Sequence, residues 1–278
     1  MASITDCVSE GLKYPFKDIK KVLGLGVPFA IISALSVLIN VKSLDIFRQT
    51  IHMVERTNTT LSHVSFSQLP AGDIYLLAGL AIVSFIISLY IFGYQYNIVK
   101  FSIEKKDDLP GFGDILDMFV KGIKYFVVMV AYNIIPALIL GAGIVFVGNS
   151  SILLVIALIS AVLFIIAFFL QIMALNNMVA YDSFKKAFDF SEIIGNISNL
   201  GWGKYIGIII FTFIVFMIIS VAASFILSMI TVAFAATISN KAVIVSIVIA
   251  VIEGLFLDSY GALFMNRVFG SVYRESVK

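Results

Sequence analysis

Apolar residues in this chain gather into six long runs separated by short polar stretches, at 22–40, 74–98, 123–147, 152–180, 205–236 and 242–268. A helix of about 20 apolar residues crosses a hydrocarbon core about 30 Å thick. Each run is long enough to span, and the fourth and fifth predict tilt or interfacial turns at their ends. The pattern predicts an all-α, polytopic transmembrane bundle of six spans. Its loops are unequal. Those around Gly148 to Ser151 and at 237–241 predict tight hairpins. The loop at 41–73 is far longer. Its first half sets Leu44, Phe47, Ile51 and Val54 at helical spacing, which predicts an amphipathic helix lying on the outer membrane surface. Its second half, 57–68, is rich in Ser and Thr and predicts irregular chain.

Composition agrees with the pattern. Soluble domains carry about 25% charged residues. This chain carries 13%, with 60% hydrophobic residues and a mean hydropathy of +1.06. Of its 19 Lys and Arg, fifteen flank the runs on one side; only Lys42, Arg48, Arg56 and Lys241 fall on the other. That asymmetry predicts a cell-membrane protein with both termini cytoplasmic. It also accounts for the net charge of +2 without a nucleic-acid surface. The first run follows 21 residues of mixed charge, so it reads as a retained signal anchor rather than a cleaved peptide. The single cysteine, Cys7, excludes an intramolecular disulfide.

A short pattern, Phe-x-acid-Ile, recurs where each odd-numbered span begins: Phe16-Lys17-Asp18-Ile19, Phe112-Gly113-Asp114-Ile115 and Phe190-Ser191-Glu192-Ile193. Glycine follows each copy, at Gly26, Gly122 and Gly201. An acid in the first turn meets the positive end of the helix dipole. Apolar residues such as Phe112, Ile115, Phe119 and Ile123 then share one face. Each odd span is thus expected to follow a short interfacial helix. The result is three repeats, 1–98, 99–180 and 181–278, about a pseudo-threefold axis normal to the membrane. The alternative is chance recurrence in a chain rich in Phe and Ile. A second alignment, Gly11-Leu12-Lys13-Tyr14 with Gly122-Ile123-Lys124-Tyr125, leaves the first unit's register open.

The stretch Gly93-Tyr94, Lys100, Leu109-Pro110-Gly111-Phe112, Gly122, Tyr132 and Pro136 resembles domain-of-unknown-function family 4013, as does Ala187-Phe188, Ile193, Gly201-Trp202 and Tyr205. Its members are prokaryotic, largely archaeal, multi-span proteins of unestablished activity. The resemblance covers most of the chain outside 41–73 and implies a six-helix membrane fold, with no catalytic role. The arrangement is also similar to membrane domains fused to glycerophosphodiester phosphodiesterases, without the phosphodiesterase domain.

Ionisable residues at membrane depth are functional candidates. Glu253 lies roughly 16 Å into the sixth span at 1.5 Å per residue, near the midplane. Asn133 falls at a similar depth in the third, flanked by Tyr132 and Pro136, where proline frees a carbonyl and kinks the helix. Glu253, Asn133, Tyr132 and Pro136 are the candidate midplane site, for proton or cation coupling or as a polar pair locking two helices. Gln171, Asn176, Asn177 and Asp258 end the fourth and sixth spans with polar groups. They are a candidate cytoplasmic vestibule or ordinary interfacial polarity. Ser220, Ser224 and Ser228 recur every fourth residue, a helix-packing spacing. Tyr90, Tyr94, Tyr96, Trp202 and Tyr205 read as interfacial anchors.

Asn58-Thr59-Thr60 is a glycosylation sequon in the external loop. His52 and His63, with Glu55, lack a third ligand at metal-binding spacing, so no metal or cofactor is expected. No hydrolase, protease or phosphate-binding motif occurs, and Asp182 and Asp258 lack the Gly-x-Gly of intramembrane aspartyl proteases. The sequence therefore predicts no enzyme. Its leading reading is a permease or carrier-like bundle binding a small molecule or lipid. The rival is a membrane scaffold with a protein partner at the cytoplasmic interfacial helices. A third is a lipid-handling enzyme.

Overall fold

The computed structural model describes residues 4–57, 70–148, 150–235 and 242–277. It is all helix, with no strand among the described residues. A short helix α1 (Ile4–Lys13) and a 3₁₀ turn (Tyr14–Lys17) precede α2 (Ile19–Thr57). Then come α3 (Ala71–Ile103), α4 (Ile115–Phe146) and α5 (Ser150–Ala180). A second 3₁₀ turn (Phe184–Phe188) and α6 (Phe190–Leu200) lead to α7 (Trp202–Ala235). The last rod is α8 (Ala242–Ile252), a π-helical segment (Glu253–Asp258) and α9 (Ser259–Ser276).

Six helices are long and apolar enough to cross a membrane, each 31–38 residues. At 1.5 Å per residue that is about 46–57 Å, well beyond a 30 Å core. The apolar runs therefore mark only the oily part of each helix. Helix continues past them because nothing stops it. No Gly or Pro lies between Asn40 and Thr57, so the expected surface helix at 44–54 is the distal part of α2 itself. Lys42 bonds Asp73 at 3.2 Å and ties that part to the start of α3.

The Phe-x-acid-Ile copies all mark helix starts, though not equivalent ones. Asp18 accepts the Lys21 amide at 3.1 Å at the start of α2. Asp114 caps α4 through the Leu116 amide at 2.9 Å. No separate interfacial helix precedes α4, because the amphipathic stretch from Ile115 fuses into the span. The third copy opens a distinct short helix, α6, where the cap is Asp189 while Glu192 sits in the first turn, and the first span likewise follows a short helix, α1, although its copy of the pattern lies after that helix. Gly201, at φ +91°, ends α6 and frees α7 to start in a new direction.

The chain divides into two compact units. One comprises Met1–Lys21, Leu89–Met217 and Gly261–Lys278. Its helices touch backbone to backbone. A Cβ on Gly93 would strike the Met118 backbone, and one on Gly122 would strike the Leu89 carbonyl, so α3 and α4 cross on glycines. Tyrosine hydroxyls then fasten helices to loops. Tyr14 donates to Asp108 O at 2.9 Å, Tyr94 to Pro110 O at 2.9 Å, and Tyr205 to Phe169 O at 2.6 Å. Tyr94, Tyr96 and Tyr205 are buried, so these three are internal struts rather than surface anchors.

The other unit comprises Val22–Ser88 and Ile218–Tyr260. Here α2 crosses the sixth span on glycines from both partners. Gly26 sits against the Leu255 backbone, and Gly254 against the backbone of Phe29 and Ala30. In α7, Ser224 and Ser228 are exposed, and Ser228 returns its hydroxyl to Phe225 O at 2.7 Å. The serine spacing therefore does not mark a packed face.

Candidate functional site

The sixth span is regular helix up to Ile252 and becomes π-helical at Glu253. A π turn inserts one extra residue and recurs at functional sites. It places a carboxylate at each end, Glu253 and Asp258. Residues five apart lie about 140° apart around an α-helix, and the wider π turn narrows that angle. Glu253 is half-buried and makes no hydrogen bond or ion pair among the described residues. Asp258, also half-buried, accepts the Ser33 hydroxyl of α2 at 3.3 Å. Between Gly26 and Ala30 on α2 lies Pro28, whose missing N–H leaves the Gly24 carbonyl without its helical donor. The carboxylates thus sit beside a glycine crossing, a proline and a π turn, all points where helix can rearrange.

Asn133 and its neighbours lie in the other unit. The Asn133 amide donates to Met129 O at 2.8 Å and to Gln171 Oε1 at 2.6 Å, locking α4 to α5. Its described partner is therefore Gln171. Tyr132 donates to Ala187 O at 2.7 Å and stacks on Phe188 at 6.1 Å between centroids. Helix α4 runs unbroken through Pro136. Pro136, Tyr132, Leu163, Ala167 and Phe188 line an apolar cleft of about 210 Å³.

Among the vestibule candidates, Asn177 is fully committed to structure. It donates to Lys186 O at 2.9 Å and accepts from Tyr273 at 2.8 Å. Asn176 donates to Ile172 O at 2.7 Å, while its buried carbonyl has no partner among the described residues. Gln171 takes the Asn133 bond, and Asp258 falls in the unit that contains Glu253. Asn58 and His63 lie outside the described residues.

Two charged clusters escaped the sequence reading. Arg267, 2% exposed, bonds Glu10 at 2.7 Å and the Lys106 carbonyl at 2.6 Å, with its guanidinium over the Tyr14 ring. Arg274 reaches the same Glu10 at 3.0 Å. Burial pushes the Tyr14 hydroxyl up to about 12, against the pull of Arg267. Only the spacing of Arg267 and Arg274, two turns apart on one face of α9, hints at this node in sequence.

The second cluster surrounds Asp182. Tyr96 donates to its carboxylate at 2.6 Å, and that bond holds the carboxyl below its usual value. Lys124, Lys100 and Lys121 act in the same direction, and burial opposes them. A depressed folded value stabilises the fold above the ordinary carboxylate value, and the contribution fades as pH falls through the lowered one. Tyr96→Phe is expected to return the Asp182 titration toward 3.8, read by carboxyl NMR. Its stability should then fall less than wild type's between about pH 4 and 2.

Six apolar helices, an all-α architecture and a carboxylate pair within an apolar span define a multi-span, membrane-inserted helical protein. Residues 76–228 match the family described as "Protein of unknown function (DUF4013)", and the chain belongs to that family. No curated protein and no solved structure matches it.

Proposed function

We propose that this chain is a carrier-like membrane protein in which Glu253, supported by Asp258, couples proton or cation binding to movement of a small solute. The observation that carries the reading is Glu253 itself, a carboxylate without a described partner at the start of a π turn in an apolar span. An ionisable group at that depth is costly to keep unless it is used. Carriers commonly place their sites at interrupted helices near the midplane. Pro28 and the π turn interrupt the two helices beside the close crossing that Gly26 and Gly254 allow. The reading is non-enzymatic. Its orientation follows the Lys and Arg asymmetry, with both termini cytoplasmic.

The test uses proteoliposomes with a trapped pH dye and a panel of small solutes. A solute-dependent proton flux is expected, abolished by Glu253→Gln while the melting temperature is unchanged. A scaffold would tolerate Glu253→Gln and show no flux with any solute. Flux that survives Glu253→Gln at the wild-type rate overturns the role given to this residue.

A further inference from the structure

A pocket of about 250 Å³ opens between the C-terminal ends of α3 and α5. Lys100, Glu104, Tyr181 and Asp182 line it, with apolar Ile103 and Val179. None of these entered the carrier reading, and the pocket lies wholly within the unit that lacks Glu253.

Its charges have both signs. The Lys100 ammonium makes no hydrogen bond or ion pair among the described residues. Asp182 gives one carboxylate oxygen to Tyr96 and keeps the other for a second donor. It does so from φ +46°, a left-handed conformation uncommon outside glycine. Glu104 pairs with Lys106 at 2.7 Å and adds a second negative group. Both helices end here, at Ile103 and Ala180, so the negative ends of their dipoles lie at the pocket. The Tyr96 bond, aided by the nearby lysines, holds the Asp182 carboxyl below its usual value. One wall therefore offers an unspent cation, and the rest offers acceptors for N–H donors.

We infer that this pocket binds a zwitterion with a primary ammonium group and a phosphate or carboxylate a few ångströms away. The anion pairs with Lys100. The ammonium donates to Asp182 and Glu104. A quaternary ammonium has no N–H to donate, and a lone anion leaves the free carboxylate oxygen of Asp182 without a donor. The same chemistry is carried by a phosphoethanolamine lipid head group and by a free amino acid. The inference is independent of the carrier proposal.

The experiment follows thermal melting of the purified full chain in detergent with O-phosphoethanolamine, glycine, phosphocholine or inorganic phosphate. A parallel arm compares nanodiscs of phosphatidylethanolamine with nanodiscs of phosphatidylcholine. Stabilisation by O-phosphoethanolamine or glycine, or by phosphatidylethanolamine discs alone, is expected. The soluble arm identifies a free solute and the disc arm a lipid. Lys100→Gln and Glu104→Gln should each weaken the response about tenfold, as loss of a charge-assisted bond does. If one variant fails to fold, the other carries the test. Equal stabilisation by phosphate or phosphocholine, unchanged responses in the folded variant, or no response to any probe would overturn the inference.

Discussion

A Gly122→Leu chain should fail to assemble. On α4, Gly122 faces the Leu89 carbonyl and the Gly93 amide of α3, and Gly93 faces the Met118 backbone in return. These neighbours are main chain, so no side chain can swing aside. Forcing a leucine between them must part the two helices, at a cost of about 3 kcal/mol or more. Folded domains hold only about 5–15 kcal/mol in reserve. Size-exclusion profiles and thermal melts of detergent-solubilised protein should show aggregation or a much lower melting temperature. Gly79→Leu is the control, since a Cβ there meets nothing within 4 Å, and it should melt like wild type.

The second large effect concerns Glu10. This one carboxylate serves Arg267 at 2.7 Å and Arg274 at 3.0 Å. Glu10→Ala would leave Arg267, 2% exposed, with Asp107 at 3.7 Å, itself 77% exposed, as its remaining acid. Stranding a buried charge costs about 3–5 kcal/mol. The reverse change is milder. Arg267→Met leaves Glu10, 31% exposed, paired with Arg274 and open to water. Chemical denaturation should therefore rank Glu10→Ala well below Arg267→Met in stability. It should also release α1, read as faster hydrogen exchange over Ile4–Lys13. Equal losses would show that the two arginines do not depend on Glu10.

Hydrophobic period alone located all six spans, because a bilayer demands long apolar helices whatever else a chain does. It misplaced their ends. Apolarity stops at the lipid boundary, whereas α3 and α9 continue as helix past their runs among buried polar residues such as Ser102 and Glu275. The residues that carry the family resemblance prove mostly architectural. Gly93 and Gly122 allow a helix crossing, Tyr94 holds Pro110, and Tyr132 holds Ala187. Such roles depend on backbone proximity between distant segments, which spacing along the chain does not encode.

The candidate site was legible in part. Glu253 stands out as an acid amid oil, but nothing local announces a π turn. The extra residue is accommodated where Gly254 lets α2 approach, a tertiary circumstance. Pro28 was equally hidden, its weight coming from the glycine crossing beside it. Asn133 read as a partner for Glu253 because both lie at one depth. The amide's described bond is to Gln171, a polar neighbour that depth alone does not single out.

The carrier account requires that water reach position 253. In a Cys7→Ser background, Glu253→Cys should react with a charged, water-borne thiosulfonate at least several-fold faster than Val248→Cys or Phe256→Cys. Both comparison positions are exposed on the same span, where lipid would cover them. Thiolate forms only where water reaches, so the rate reports hydration directly. Reaction at 253 no faster than at those two would contradict the account.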